Sequence, residues 1–145
     1  MTSSTRPSGG QTHSWTLYTD GGARGNPGPA AIGVVVSDPD GAVVEELAEP
    51  IGVATNNVAE YRAVLRALER AAALGATELE LIGDSELVAR QLTGAYKVKH
   101  PSMKPLHAQA TRALSAFDRW SIRSVPRGQN ARADALVNAA LDGDA

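Results

Sequence analysis

The chain has 145 residues, with 14 Lys and Arg against 16 Asp and Glu, no Cys, 43% hydrophobic residues and 4% aromatic ones. A length of that order suits one domain, which buries roughly two thirds of the unfolded chain's surface, and the lack of Cys excludes disulfide scaffolds, thiolate metal sites and cysteine nucleophiles. No run approaches the ~18 apolar residues of a membrane span, and the segment from Met1 to His13 lacks the apolar core of a signal peptide, so a cytoplasmic protein without a membrane partner is expected.

Residues 1–13, rich in Ser, Thr, Gly and Pro and without apolar periodicity, read as a disordered tail, which leaves 14–142 as the domain. Ser14 to Asp20 alternates as a strand and runs into Gly21-Gly22. Ala30 to Ser37 is β-branched and forms a second strand, and Asp38-Pro39-Asp40-Gly41 turns the chain into a third over Ala42 to Val53, an antiparallel meander. Val58, Tyr61, Leu65, Leu68 and Ala72 then recur at helical spacing up to the stop at Gly75. Glu78 to Gly83 is a short strand, Ser85 to Thr93 and Met103 to Phe117 are helices, Trp120 to Val125 is a fifth strand and Asn130 to Leu141 a last helix. The expected fold is α/β, a five-stranded mixed sheet of three antiparallel strands followed by parallel βαβ units, flanked by helices in three layers.

The net charge of −2 conceals an asymmetry. Ser37 to Glu60 holds six acids and no Lys or Arg, whereas Tyr96 to Arg132 carries eight Lys or Arg and the single acid Asp118. The basic stretch either attracts phosphates or is a solvated face.

Two motifs fail. Gly21 to Pro29 follows a strand but has no G-x-G-x-x-G register and no Gly-Lys-Ser/Thr, and Pro27 and Pro29 stop the helix whose N-terminus would hold a phosphate. Gly83-Asp84-Ser85-Glu86-Leu87 is like the nucleophile block of small esterases, yet no Asp-x-x-His lies downstream, and His13, His100 and His107 have no triad or zinc spacing.

Four acids remain, each with an ordinary explanation. Asp20 shapes a turn, Glu60 in the first helical turn bonds back to an Asn57 cap, Asp84 caps the helix near Ser85, and Asp134 complements a helix dipole. Taken jointly, they stand where strands end and helices begin, at the crevice where open sheets build sites. Carboxylates sharing a pocket repel, so they require protons or divalent cations, and hard oxygen ligands select Mg²⁺ or Mn²⁺. Two such ions suit phosphodiester hydrolysis, one activating water and the other stabilising the departing oxygen.

Tyr18-Thr19-Asp20-Gly21-Gly22, Gly25-Asn26-Pro27-Gly28-Pro29, Thr55-Asn56-Asn57-Val58-Ala59-Glu60, Asp84-Ser85 and Asn130-Ala131-Arg132-Ala133-Asp134 resemble the ordered motifs of type 1 ribonuclease H over about residues 14–142. The resemblance implies the ribonuclease H-like fold and cleavage of the RNA strand of RNA–DNA hybrids to 5′-phosphate and 3′-hydroxyl ends. It makes Asp20, Glu60, Asp84 and Asp134 the catalytic, metal-binding acids and sets Asn26, Thr55, Asn56 and Asn57 near the substrate. Amides around Asn26 and Asn56 would read the RNA sugar, and the Thr55 hydroxyl would hold a DNA phosphate. Glu86 stands where a Gln is common in the family.

Two departures mark a variant. The loop Val125 to Asn130 lacks the His of many members, and Arg127, which cannot shuttle a proton, would hold phosphate or product there or be a solvated cation. Gly94 to Pro105 is too short for the basic insertion that grips the hybrid in some members. Tyr96, Lys97, Lys99 and Lys104 would partly replace that grip, with weaker and more salt-sensitive binding. The expected protein is a monomeric endonuclease. A junction resolvase or exonuclease of the same fold and a non-catalytic hybrid-binding module are the alternatives; Asn26 and Thr55 to Asn57 favour the hybrid, and four acids in one crevice argue against a mere binder.

Overall fold

The structure, a computed structural model, describes residues 13–143; the tail expected over residues 1–12 lies outside the described residues, and His13 is exposed. The elements run β1 (Ser14–Ala23), β2 (Gly28–Ser37), β3 (Val43–Ala54), α1 (Asn56–Ala73), β4 (Glu78–Gly83), α2 (Glu86–Leu92), α3 (Lys104–Leu114), β5 (Arg119–Ser124) and α4 (Ala131–Leu141). Strand order in the sheet is β3-β2-β1-β4-β5, antiparallel across β1, β2 and β3 and parallel across β1, β4 and β5.

Three layers follow from alternation along the strands. Leu17, Val34, Val36, Leu79 and Leu81 face α1, α2 and α3 in the main core, while Ala31 faces Val137 and Ala140 of α4 on the opposite side. Burying one such aliphatic side chain contributes about 1.5–3 kcal/mol, so the main core carries most of the stability.

The expectations need two corrections in this frame. β1 does not end at Asp20, because Gly21, Gly22 and Ala23 go on pairing with Ile32, Ala31 and Ala30 of β2; Asp20 therefore lies inside a strand and shapes no turn. The apolar stripe of α1 is also rotated from the expected one. Tyr61 and Leu68 are buried, but Val58 and Leu65 are only half-buried and Ala72 is exposed, and a ridge of Ala59, Ala63, Ala67 and Ala71 faces the sheet instead. The reason is close approach. A Cβ on Gly21 would sit 2.3 Å from the carbonyl carbon of Ala59, so helix and strand backbones nearly touch and only small side chains fit between them. Gly33 does the same on the other face, where a Cβ would stand 2.3 Å from the Ala133 carbonyl oxygen of α4. The two glycines thus bring both helices down onto the central strands, and Glu60 and Asp134, each next in sequence to the contacted alanine, come with them.

The acidic stretch is largely neutralised by the fold. Glu49 pairs with Arg66 at 3.0 Å, Glu45 with Arg70 at 2.6 Å, and Glu46 with Arg132. Those pairs hold the edge strand β3 against α1 and α4, and no uninterrupted anionic face results.

Candidate carboxylate centre

The parallel pairing of β1 and β4 aligns Tyr18 with Ile82, so Asp20 and Asp84, each two residues further on, emerge side by side at the carboxyl ends of the central strands. Asp20 is 5% exposed. Glu60 reaches the same point from the second turn of α1, where its Oε1 accepts a 2.8 Å hydrogen bond from the Gly21 backbone N–H. One carboxylate oxygen from each of Asp20, Glu60 and Asp84 lies within 4.8 Å of the other two. Asp134, in the first turn of α4, stands outside that group of three but within hydrogen-bonding reach of Asp20. A cleft of about 440 Å³ beside them is lined by Asp20, Glu60 and Asp134 together with Asn56, Arg24, Arg127 and Asn138.

The ordinary explanations of two acids do not hold. Glu60 does not bond back to a helix cap: the cap of α1 is Thr55, whose Oγ1 accepts from the Val58 N–H at 3.2 Å, and Glu60 is spent on β1. Asp84 does not cap α2, because Ser85 does so through the Val88 N–H at 3.2 Å. The Asp84 Oδ2 is buried and accepts no hydrogen bond.

Crowding sets the electrostatics. Burial first, then the charges of Asp84 and Asp134 and a hydrogen bond to Asp134, push the Asp20 carboxyl up to about 8, with Arg127 opposing. Burial and the charges of Asp20 and Asp84 hold the Glu60 carboxyl well above the usual range, against the Gly21 N–H. Such a cluster takes up protons unless a cation replaces them. A donor set made only of carboxylate oxygens, one of them buried and accepting no hydrogen bond, fits a hard divalent cation.

The residues expected around the substrate form the rim. Asn26 Oδ1 accepts from the Asn56 N–H at 2.9 Å, and Asn56 Oδ1 accepts from the Ala23 N–H at 2.8 Å, so the β1–β2 turn and the start of α1 are interlocked. Each amide keeps its Nδ2 group as remaining donor. Asn57 is exposed beside them. The Arg127 Nε stands 3.4 Å from Asp84 Oδ2. Glu86 is taken up by Arg90 on the surface of α2 at 2.9 Å.

A second feature lies beyond α2. A groove of about 510 Å³ is lined by Gln91, Tyr96, Lys97, Lys104, His107 and Thr111, and Arg90 covers the Tyr96 ring at 5.4 Å. The segment from Thr93 to Met103 that links α2 to α3 contains no helix.

Sequence reasoning missed two supports of this arrangement. Asn130, 2% exposed, starts α4 without capping it and instead donates its Nδ2 to the Thr19 carbonyl at 2.8 Å, tying α4 to β1 next to Asp20. Tyr61 donates its hydroxyl to Gln91 Oε1 at 2.5 Å, linking α1 to α2. A polar residue before a helix ordinarily reads as its cap, and a Tyr on an apolar stripe as core, so neither gives a local signal.

Residues 18–140 match the reverse transcriptase-like family model, which places the fold in that class. Ribonuclease HI of Halobacterium salinarum is 52% identical over 134 residues, covering 92% of this chain and 66% of that protein. The crystal structure of ribonuclease H1 from the same archaeon superposes with a TM-score of 0.87 at 51% identity, covering 89% of this chain and 98% of that one. A ribonuclease H1 isolated from compost, solved in complex with RNA/DNA hybrid, has a TM-score of 0.84 at 46% identity, covering 89% and 97%. The chain belongs to the ribonuclease H family. It spans a little under two thirds of the curated Halobacterium protein, at 66%, and 35% of a bifunctional protein of Mycobacterium tuberculosis.

Proposed function

We propose that the protein is an endonuclease that hydrolyses the RNA strand of RNA–DNA hybrids, with residues 14–142 as its ribonuclease H domain and Asp20, Glu60, Asp84 and Asp134 as its catalytic acids. The observation that carries this reading is the convergence of Asp20, Glu60 and Asp84 within 4.8 Å at the ends of two parallel strands, beside a rim of amides. We infer further that the protein acts as a cytoplasmic monomer; none of its described helices is long and apolar enough to cross a membrane.

Asp20, Glu60 and Asp84 would hold Mg²⁺, or Mn²⁺ in its place, as two ions, with Asp134 completing the second position. When bound, such cations supply activation of the attacking water and charge neutralisation at the departing oxygen. The chain's own residues do the rest. The Nδ2 groups of Asn26 and Asn56 donate to the 2′-hydroxyl side of the RNA strand, and Asn57 extends that rim. Thr55 accepts the cap bond through an oxygen lone pair, so its O–H proton is free to donate to a DNA phosphate. Arg127 takes a phosphate of substrate or product. Water attack at phosphorus with cleavage of the bond to the 3′ oxygen leaves 5′-phosphate and 3′-hydroxyl ends. Tyr96, Lys97, Lys99 and Lys104 lie on or beside the groove past α2 and meet the hybrid backbone through screened contacts.

The test is cleavage of an end-labelled RNA–DNA hybrid, with single-stranded RNA, double-stranded RNA and double-stranded DNA as controls, by the native chain and Asp84→Asn in Mg²⁺ and in Mn²⁺. Cleavage of the hybrid's RNA strand alone, lost in Asp84→Asn, is the expected result. A folded native protein that cuts none of these would overturn it and turn attention to junction substrates.

A further inference from the structure

We propose that Arg127 is a resident counter-cation of the carboxylate centre, one that a divalent metal must displace from Asp84 before the site is loaded. The inference rests on the metal-binding reading above and goes beyond it by giving Arg127 a role in the metal-free protein.

Three observations carry it. The Asp84 side chain is only 9% exposed and its Oδ2 accepts no hydrogen bond, so the negative charge needs a partner, and the Arg127 Nε is 3.4 Å away. At that separation the contact is electrostatic and not a formed hydrogen bond, which leaves the guanidinium free to depart without breaking one. Arg127 is itself 78% exposed on a single 3-10 turn, Arg127–Gln129, and a Cβ at Gly128 would meet nothing within 4 Å. The cation is therefore held by attraction on a loop with room to move.

Competition follows from Coulomb's law. A doubly charged ion held by Asp84 would repel the guanidinium across a few ångströms, so the two compete for the charge of one carboxylate. The metal must do work against Arg127 to bind, and the displaced guanidinium finds its next acceptor in a substrate phosphate. Arg127 thus spares the metal-free centre full like-charge repulsion, weakens its hold on metal, and couples metal arrival to phosphate capture. A Lys at that position keeps the charge but loses the planar fork, so it retains part of the competition.

The measurement is calorimetric titration of Mg²⁺, without nucleic acid, into the full native chain, Arg127→Ala and Arg127→Lys, each stripped with chelator and shown to be folded by circular dichroism. Arg127→Ala is expected to bind Mg²⁺ about two- to fivefold more tightly, the range set by partly exposed ion pairs, with Arg127→Lys in between. In melting experiments the same Ala variant should start from a lower metal-free Tm and gain more on Mg²⁺ addition than the native chain. Unchanged or weaker Mg²⁺ binding in Arg127→Ala, with the native chain binding normally, overturns this inference and leaves the metal reading intact. A native chain that binds no Mg²⁺ overturns both.

Discussion

The carboxylate cleft and the groove beyond α2 treat charge in opposite ways. In the cleft, acids from β1, α1, α4 and the link between β4 and α2 are brought together, Asp20 almost fully buried and Asp84 nearly so, and the fold holds them against their repulsion. In the groove, Lys97 and Lys104 stand exposed on a connecting segment and at the start of α3, where water and salt screen them. A reaction centre needs charge that is fixed, dehydrated and strong, whereas a grip on a nucleic-acid backbone needs charge that is numerous, mobile and readily exchanged. Crowding of like charges lowers stability in the first region, and screening leaves it almost untouched in the second.

The comparison breaks most sharply at Asp84. Asp84→Asn should lower hybrid cleavage by about a thousandfold or more, equivalent to ~4 kcal/mol of barrier, while the metal-free melting temperature holds or rises because one of the crowded charges is gone. Cleavage assays and thermal melts on the same preparation decide it, and a cleft acid that mattered only to stability would give the reverse pattern.

Next in size is Gly21→Ala. Its Cβ would collide with the Ala59 backbone, forcing α1 off β1 and carrying Glu60 away from the cluster. A loss of about 3 kcal/mol in denaturant unfolding is expected, together with weaker Mg²⁺ binding. Retention of native stability would show that the close helix–strand approach is not what positions Glu60.

The pH dependence distinguishes the two regions again. Asp20 has a folded-state value raised from 3.8 to about 8, so the folded chain binds more protons than the unfolded one across that window. Its contribution to stability is fully present below about 4 and is lost progressively as pH rises towards 8. Melts of chelator-treated protein should therefore show Tm falling over this range, an effect flattened by Asp20→Asn and by saturating Mg²⁺. A Tm that climbed between pH 5 and pH 8 would contradict the crowding.

The smallest effects belong to the groove. Lys97→Ala and Lys104→Ala should each raise KM for a hybrid about two- to fivefold with kcat unchanged, and lower the slope of affinity against salt by about 1 for each phosphate that is no longer neutralised. Equal effects at low and high salt would remove these lysines from the backbone grip.

Much of this molecule is legible in its sequence. The element types follow from local periodicity, since alternation in Trp15 to Thr19 and the 3.6-residue rhythm from Val58 onward are properties of a few neighbours. The four acids could be singled out because the sequence puts each near an expected boundary between elements, although Asp20 lies within β1 and Glu60 in the second turn of α1. What misled was local plausibility: a cap for Glu60, a cap for Asp84 and a turn at Asp20 each satisfy short-range rules, and long-range contacts supersede all three. The α1 stripe went astray for a related reason, as a count of large apolar residues cannot see that Gly21 brings the strand close enough to demand alanine. Arg127 was recognisable as a departure from the family pattern, but nothing near it in sequence says that it stands against Asp84.

The sequence by itself therefore determined which segments become strands and helices, the mixed order of the sheet, and the inventory of carboxylates, amides and cations available at the element ends. Only the tertiary structure decided which of them meet. Asp20 and Asp84 are neighbours because β1 and β4 pair in parallel after a crossover through α1, Glu60 joins them because glycine lets α1 touch β1, and Asp134 stays at the edge with α4 on the opposite face. The physical reason is range: hydrophobic period and turn chemistry act over a handful of residues, whereas the distance between two charges far apart in the chain is set by backbone packing that no local pattern encodes.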